Sequence, residues 1–143
     1  MSRHSGNPVL YSLALLVALT ACDCDTQILN RVPSPNGELH AVRWTRNCGG
    51  ATHSGSVGVT LLAAEREFDA DDPLGTVFQY RIELPPERGF TPIVSDTVAW
   101  NSNSQLVIAF DARRPVVRQT IRLGDVNIRL RPHHPGIANA PQN

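Results

Sequence analysis

No lysine occurs in this 143-residue chain, so all 13 of its Lys/Arg-type cations are arginine. Phosphate-loop lysines, Schiff-base lysines and Ser-Lys dyads are thereby excluded. Helical signatures are scarce, because no stretch of about ten residues repeats apolar side chains at i, i+3 and i+4 without an interrupting proline or glycine. Missing too are the Gly-x-Ser-x-Gly elbow, the His-Glu-x-x-His zinc motif and paired Cys-x-x-Cys ligands. The formal net charge is zero, which leaves no overall field to draw nucleic acid. No catalytic signature stands out, and the residues call for neither a cofactor nor a metal.

Long apolar runs are also lacking. Val9 to Ala21 carries no charge, but it falls short of the roughly 20 residues needed to span a bilayer core. Arg3 and His4 precede it and small residues close it, the layout of a secretory signal. Its end, Leu19-Thr20-Ala21-Cys22, resembles the lipobox of bacterial lipoproteins. The resemblance implies cleavage between Ala21 and Cys22, with a diacylglycerol on the Cys22 thiol. A single acyl chain holds a protein only marginally, with K about 10⁴ M⁻¹, whereas two or three make residence effectively permanent. The expected address is the cell envelope, facing the periplasm and anchored to the inner or outer membrane through Cys22. Asp23 resembles the inner-membrane retention signal of enteric bacteria, although other bacteria sort differently. Residues 1–21 are thus a signal peptide, expected as a helix, and residues 22–131 a single domain.

Two cysteines remain after lipidation, Cys24 and Cys48. In an oxidising compartment this even remainder invites a disulfide closing a loop of about 25 residues. The competing readings are two free thiols, or Cys48 as a nucleophile with His53 as its base.

Charge is unevenly placed. Glu65 to Asp72 (EREFDADD) holds five acids and one arginine, yet it lacks the glycine and closing glutamate of a calcium loop and reads as a solvated loop. From Arg113 onward six arginines face only Asp125. They read as outward strand positions, with lipid phosphates or an acidic partner as the functional alternative.

Strands and turns dominate the rest. A Pro-Asn-Gly turn at Pro35–Gly37 leads into an extended run from Glu38 to Arg46, with His40, Val42 and Trp44 on one face and Leu39 and Ala41 on the other. Val57, Val59 and Leu61 form the apolar side of SGSVGVTLLA, and Thr76 to Leu84 resumes extended structure. Val98 and Trp100 precede an Asn/Ser turn of about four residues, followed by Leu106, Ile108 and Phe110 on one face. VVRQTIRL and DVNIRLR are joined at Gly124-Asp125, with Val126, Ile128 and Leu130 inward. The expected fold is all-β: a small antiparallel sheet or sandwich of about seven strands. Residues 132–143 are rich in proline and asparagine and read as a disordered tail. As strand neighbours His133 and His134 would point apart, which argues against a metal site.

SPNGELHAV and VAWNSNSQLVIAF resemble the Ser-Pro-Asp-Gly-Lys hairpins of propeller blades in the TolB and WD-repeat groups. Blades of about 40 residues, at least four to a ring, exclude a closed propeller here. Cys24, SPNGELHAVRW and RNCGGATHSGSVGV together resemble a family of small bacterial lipoproteins with no assigned activity. That family opens its mature domain with a cysteine and a Ser-Pro-Asp-Gly-Lys hairpin, then carries an Asp-Cys-Gly-Ala-Thr-Thr segment. Asn36 replaces its aspartate, Glu38 its lysine, and an extra glycine follows Cys48. The resemblance implies a β fold, an envelope location and a Cys24–Cys48 bond.

A binding site is best sought in RNCGGATHSG, where Gly49 and Gly50 permit close approach and Arg46, Asn47, Thr52 and His53 supply donors. The bland alternative is a glycine-rich turn pinned by a disulfide. Three functional readings follow: a non-enzymatic anchored protein that is structural or binds an envelope partner, a lysozyme-inhibitor-like lipoprotein, and a hydrolase using His53 with Ser54 or Asp96. The first is preferred, since sequence neighbours on a strand cannot form a relay without a tight turn.

Overall fold

The computed structural model describes residues 24–48, 54–69, 71, 74–83 and 96–134. The signal peptide, with Ala21 and Cys22, and residues 135–143 of the tail lie outside them, as do Gly49, Gly50, Thr52 and His53. The described residues are all-β. Nine strands follow in order: β1 (Asp25–Pro33), β2 (Leu39–Asn47), β3 (Ser54–Ala63), β4 (Thr76–Glu83), β5 (Thr97–Ser102), β6 (Gln105–Asp111), β7 (Val116–Gln119), β8 (Arg122–Leu123) and β9 (Val126–His133). They form a five-stranded sheet, β1-β2-β3-β4-β7, and a four-stranded sheet, β5-β6-β9-β8.

Period-two alternation explains how the sheets find each other. Val57, Val59 and Leu61 of β3 and Phe78, Tyr80 and Ile82 of β4 share a dry layer with Leu106, Ile108 and Phe110 of β6 and Val126 and Ile128 of β9. Phe78 and Phe110 meet across it with ring centroids 4.7 Å apart. At about 1.5–3 kcal/mol per buried aliphatic or aromatic side chain, this layer is the main source of stability.

The outer face of the larger sheet is covered as well. Val42 and Trp44 of β2 are buried there, and a Cβ on Gly58 would lie 2.2 Å from the Trp44 ring. Only glycine at position 58 lets the indole lie flat on β3, where its Nε1 donates to Thr60 Oγ1 at 2.9 Å. Phe68, from the acidic loop, reaches the same indole at a centroid distance of 6.1 Å. That loop is therefore drawn back onto the sheet.

Both hairpin turns follow their side-chain chemistry. Gly37 has φ 74°, in the left-handed region, and Ser34 Oγ accepts from Leu39 N at 3.0 Å to close the Pro-Asn-Gly turn. The β5–β6 turn is shorter than expected, with only Asn103 and Ser104 between the strands. Asn103 Oδ1 accepts from Asn36 N at 2.9 Å, tying the two turns together at one end of the sandwich. At the same side edge, Trp100 Nε1 donates to Val32 O at 3.0 Å and joins β1 to β5.

Three details differ from the sequence expectation. There are nine described strands rather than about seven, because Asp25–Pro33 adds β1, which the sequence pattern did not reveal, and VVRQTIRL divides: β7 pairs with β4 in the first sheet and β8 with β9 in the second. Thr120 N donates to Val77 O and Ile128 N to Ile121 O, both at 2.8 Å, so the chain changes sheets between those residues and closes that side. Second, β9 runs parallel to β6, with Phe110 opposite Pro132 and Asp111 opposite His133. The crossover through the first sheet brings it back in the same direction. Third, this pairing carries β9 to His133, past the boundary at residue 132 that composition gave for the tail.

Candidate functional site

Strand register sorts the polar residues to the end of the sandwich opposite the two turns. Thr26, Arg46, Ser56 and Arg81 are successive partners across β1, β2, β3 and β4, so they form one row near the start of β1. Just beyond that row Cys24 and Cys48 are joined, their Cα atoms 4.0 Å apart. The bond ties the first residues of the exposed edge strand β1 to the last of β2.

Two of the donors expected to act together are separated by the strand pleat. Arg46 pairs with Asp71 of the acidic loop at 2.8 Å. Its neighbour Asn47 points to the other face and lines a shallow groove with Asp25, Gln27 and Thr45. Asp71 N also donates to Asp69 Oδ1 at 2.9 Å, so these two carboxylates help pin the loop. Among the described residues no group of three or more His, Cys, Asp or Glu side chains could hold a metal.

More distinctive is a polar cluster inside the sandwich at this end. Tyr80 Oη donates to Asp96 Oδ2 through a short hydrogen bond, Asp111 N donates to Asp96 Oδ1 at 3.2 Å, and Arg43 Nη1 donates to Asp96 O at 2.9 Å. Burial, reinforced by the adjacent Asp96 carboxyl, pushes the Tyr80 phenol far above its usual range. The void among these groups is about 10 Å³, room for one water at most. Asp96, considered above as a hydrolase partner, is thus committed to the core.

Asp111 is equally enclosed but reaches outward. Arg113 Nε and Nη2 grip its carboxylate at 2.9 and 2.8 Å, and Arg114 Nε lies 3.7 Å from Asp111 Oδ2. The hydrogen bonds from Arg113 hold the Asp111 carboxyl well below the ordinary carboxylate range, outweighing the opposing effect of burial. The same contact raises Arg113 further above its already high value. Arg113 and Arg114 then line a cleft of about 200 Å³ with Arg81 and Pro115. Arg81 N donates to Pro115 O at 3.0 Å, which holds the β6–β7 turn against β4.

Sequence reasoning grouped Arg113 and Arg114 with the other C-terminal arginines and singled out neither Arg81 nor Tyr80. The local signal was Asp111-Ala112-Arg113-Arg114-Pro115, an acid closing a strand with two cations in the turn behind it. In comparisons with known proteins, the chain matches no protein-family model, no curated sequence and no solved structure.

Proposed function

We propose that the chain is a lipid-anchored envelope protein facing the periplasm, whose β-sandwich serves as a rigid, non-catalytic scaffold or binding module. The joined Cys24–Cys48 pair carries this reading, because such bonds persist in oxidising compartments and are rare in the cytosol. Its position adds support. Cys22 precedes Cys24 by two residues, at most about 7 Å of chain. An acyl group there would hold the cysteine end of the sandwich at the bilayer with almost no intervening linker. Tyr80 and Asp96, joined by a hydrogen bond, are closed in the core, which favours a structural role for them.

The test is fractionation of cells producing the full chain. Wild type is expected to stay with membranes through a high-salt wash, and Cys22→Ala to lose that lipid-dependent retention. Equal partitioning of the two proteins would overturn the anchor.

A further inference from the structure

The cleft behind β6 is rich in arginine. Arg81, Arg113 and Arg114 line it, and among the described residues the carboxylate that pairs with Arg113 and Arg114, Asp111, is buried beneath. That carboxylate fixes Arg113 in place without consuming it. Arg113 uses Nε and Nη2 on Asp111, and Nη1 keeps its donors. Arg114 Nε pairs with Asp111 Oδ2 at 3.7 Å, beyond hydrogen-bond distance, and makes no hydrogen bond to a described residue. Arg81 makes no side-chain ion pair with any described residue. The volume of about 200 Å³ admits a group of phosphate size with its ester substituents. Arginine's planar fork matches such oxygens in pairs.

We propose that Arg81, Arg113 and Arg114 form a binding site for a phosphate oxyanion, and that on the anchored protein its occupant is the headgroup phosphate of an anionic lipid. The second half rests on the anchoring reading above; the first does not. Register supports the location. Arg81 occupies the same row as Thr26, two residues from Cys24, and three strand spacings of about 4.8 Å place it roughly 14 Å across the sheet from β1. A bilayer holding Cys22 would therefore meet this end of the sandwich, and the cleft with it.

The experiment uses the full, oxidised chain in zwitterionic detergent micelles at constant ionic strength. Arginine Nε–H signals are followed by NMR while either inorganic phosphate or phosphatidylglycerol is added. Saturable shifts of Arg81, Arg113 and Arg114 are expected with both probes, with Kd about 1 mM or tighter for phosphate. Arg81→Gln and Arg114→Gln are each expected to weaken lipid binding about fivefold, as for one arginine near an anionic surface. Arg129→Gln, which removes the same charge from β9, should change nothing. Arg81→Lys separates the fork from the charge, and its affinity is expected between those of wild type and Arg81→Gln.

Saturation by phosphate alone supports the site and overturns its lipid occupant. Saturation by lipid alone establishes a headgroup site. No saturable shift with either probe, or equal weakening by Arg129→Gln, overturns the proposal. Failure of the anchor is read separately from the fractionation of Cys22→Ala, and it leaves the phosphate arm intact.

Discussion

Replacement of Asp96 by alanine is expected to lower the unfolding free energy by about 3–5 kcal/mol, against a total of roughly 5–15 kcal/mol for a domain of this kind. Its side chain accepts from the Tyr80 hydroxyl and from the Asp111 amide inside a void that holds one water at most. Alanine leaves both donors buried with no acceptor, at about 1–3 kcal/mol for each. It also removes one fastening between β4 and the start of β5, which lie in different sheets. Asp96→Asn keeps an oxygen for the Asp111 amide and an NH₂ that can donate to the phenol, so a loss of only about 1 kcal/mol is expected. Urea denaturation of the two variants checks this. A shift below about 0.5 kcal/mol for alanine, within the range of ordinary surface substitutions, would show that the cluster does not hold the sheets together.

Breaking the Cys24–Cys48 bond has a second large expected effect. The closed loop spans 24 positions, and chain entropy predicts a stabilisation of about 3.5 kcal/mol. Much of the damage should fall on one element. β1 pairs only with β2, shows a mostly exposed face and contains a bulge between Ile28 and Asn30. With the bond gone it is held by its ladder with β2 and, at its far end, by Trp100 and the Pro-Asn-Gly turn. Cys48→Ala is thus expected to lower stability by about 3.5 kcal/mol and to expose β1 amides to rapid hydrogen exchange, while β3 and β4 amides stay slow. Uniform loss of protection across the sheet would show instead that β1 is integral to a single cooperative unit.

Local alternation made much of the fold legible. Val57/Val59/Leu61, Leu106/Ile108/Phe110 and Val126/Ile128/Leu130 each place every second residue toward one dry layer, and a period of two reads directly as a half-buried strand. The Pro-Asn-Gly turn was legible for a similar reason, because its φ of 74° at Gly37 is a demand few other residues meet.

Pairing between distant strands left no such trace. VVRQTIRL looks like one strand because its change of sheet at Thr120 and Ile121 needs no proline or glycine. Trp44 and Gly58 make sense only as partners across β2 and β3; taken alone, Gly58 reads as a weak point in a strand. The arginine cleft was hidden in the same way. Arg81 lies on β4 and Arg113 and Arg114 behind β6, and they are united by the pairing of β4 with β7, extended by the bond from Arg81 N to Pro115 O. Conversely, Arg46 and Asn47 are adjacent in sequence and part company in space, because neighbours on a strand face opposite sides.

The mass of the native chain, extracted intact from its own membranes and compared before and after reduction, bears most directly on the central claim of a tethered, internally bridged sandwich. The predicted result is a chain that begins at Cys22, carries fatty-acyl mass on that residue, and gains two hydrogens when Cys24 and Cys48 are reduced. A chain that retains Met1, bears no lipid and has three free thiols would contradict the anchor and the bridge together.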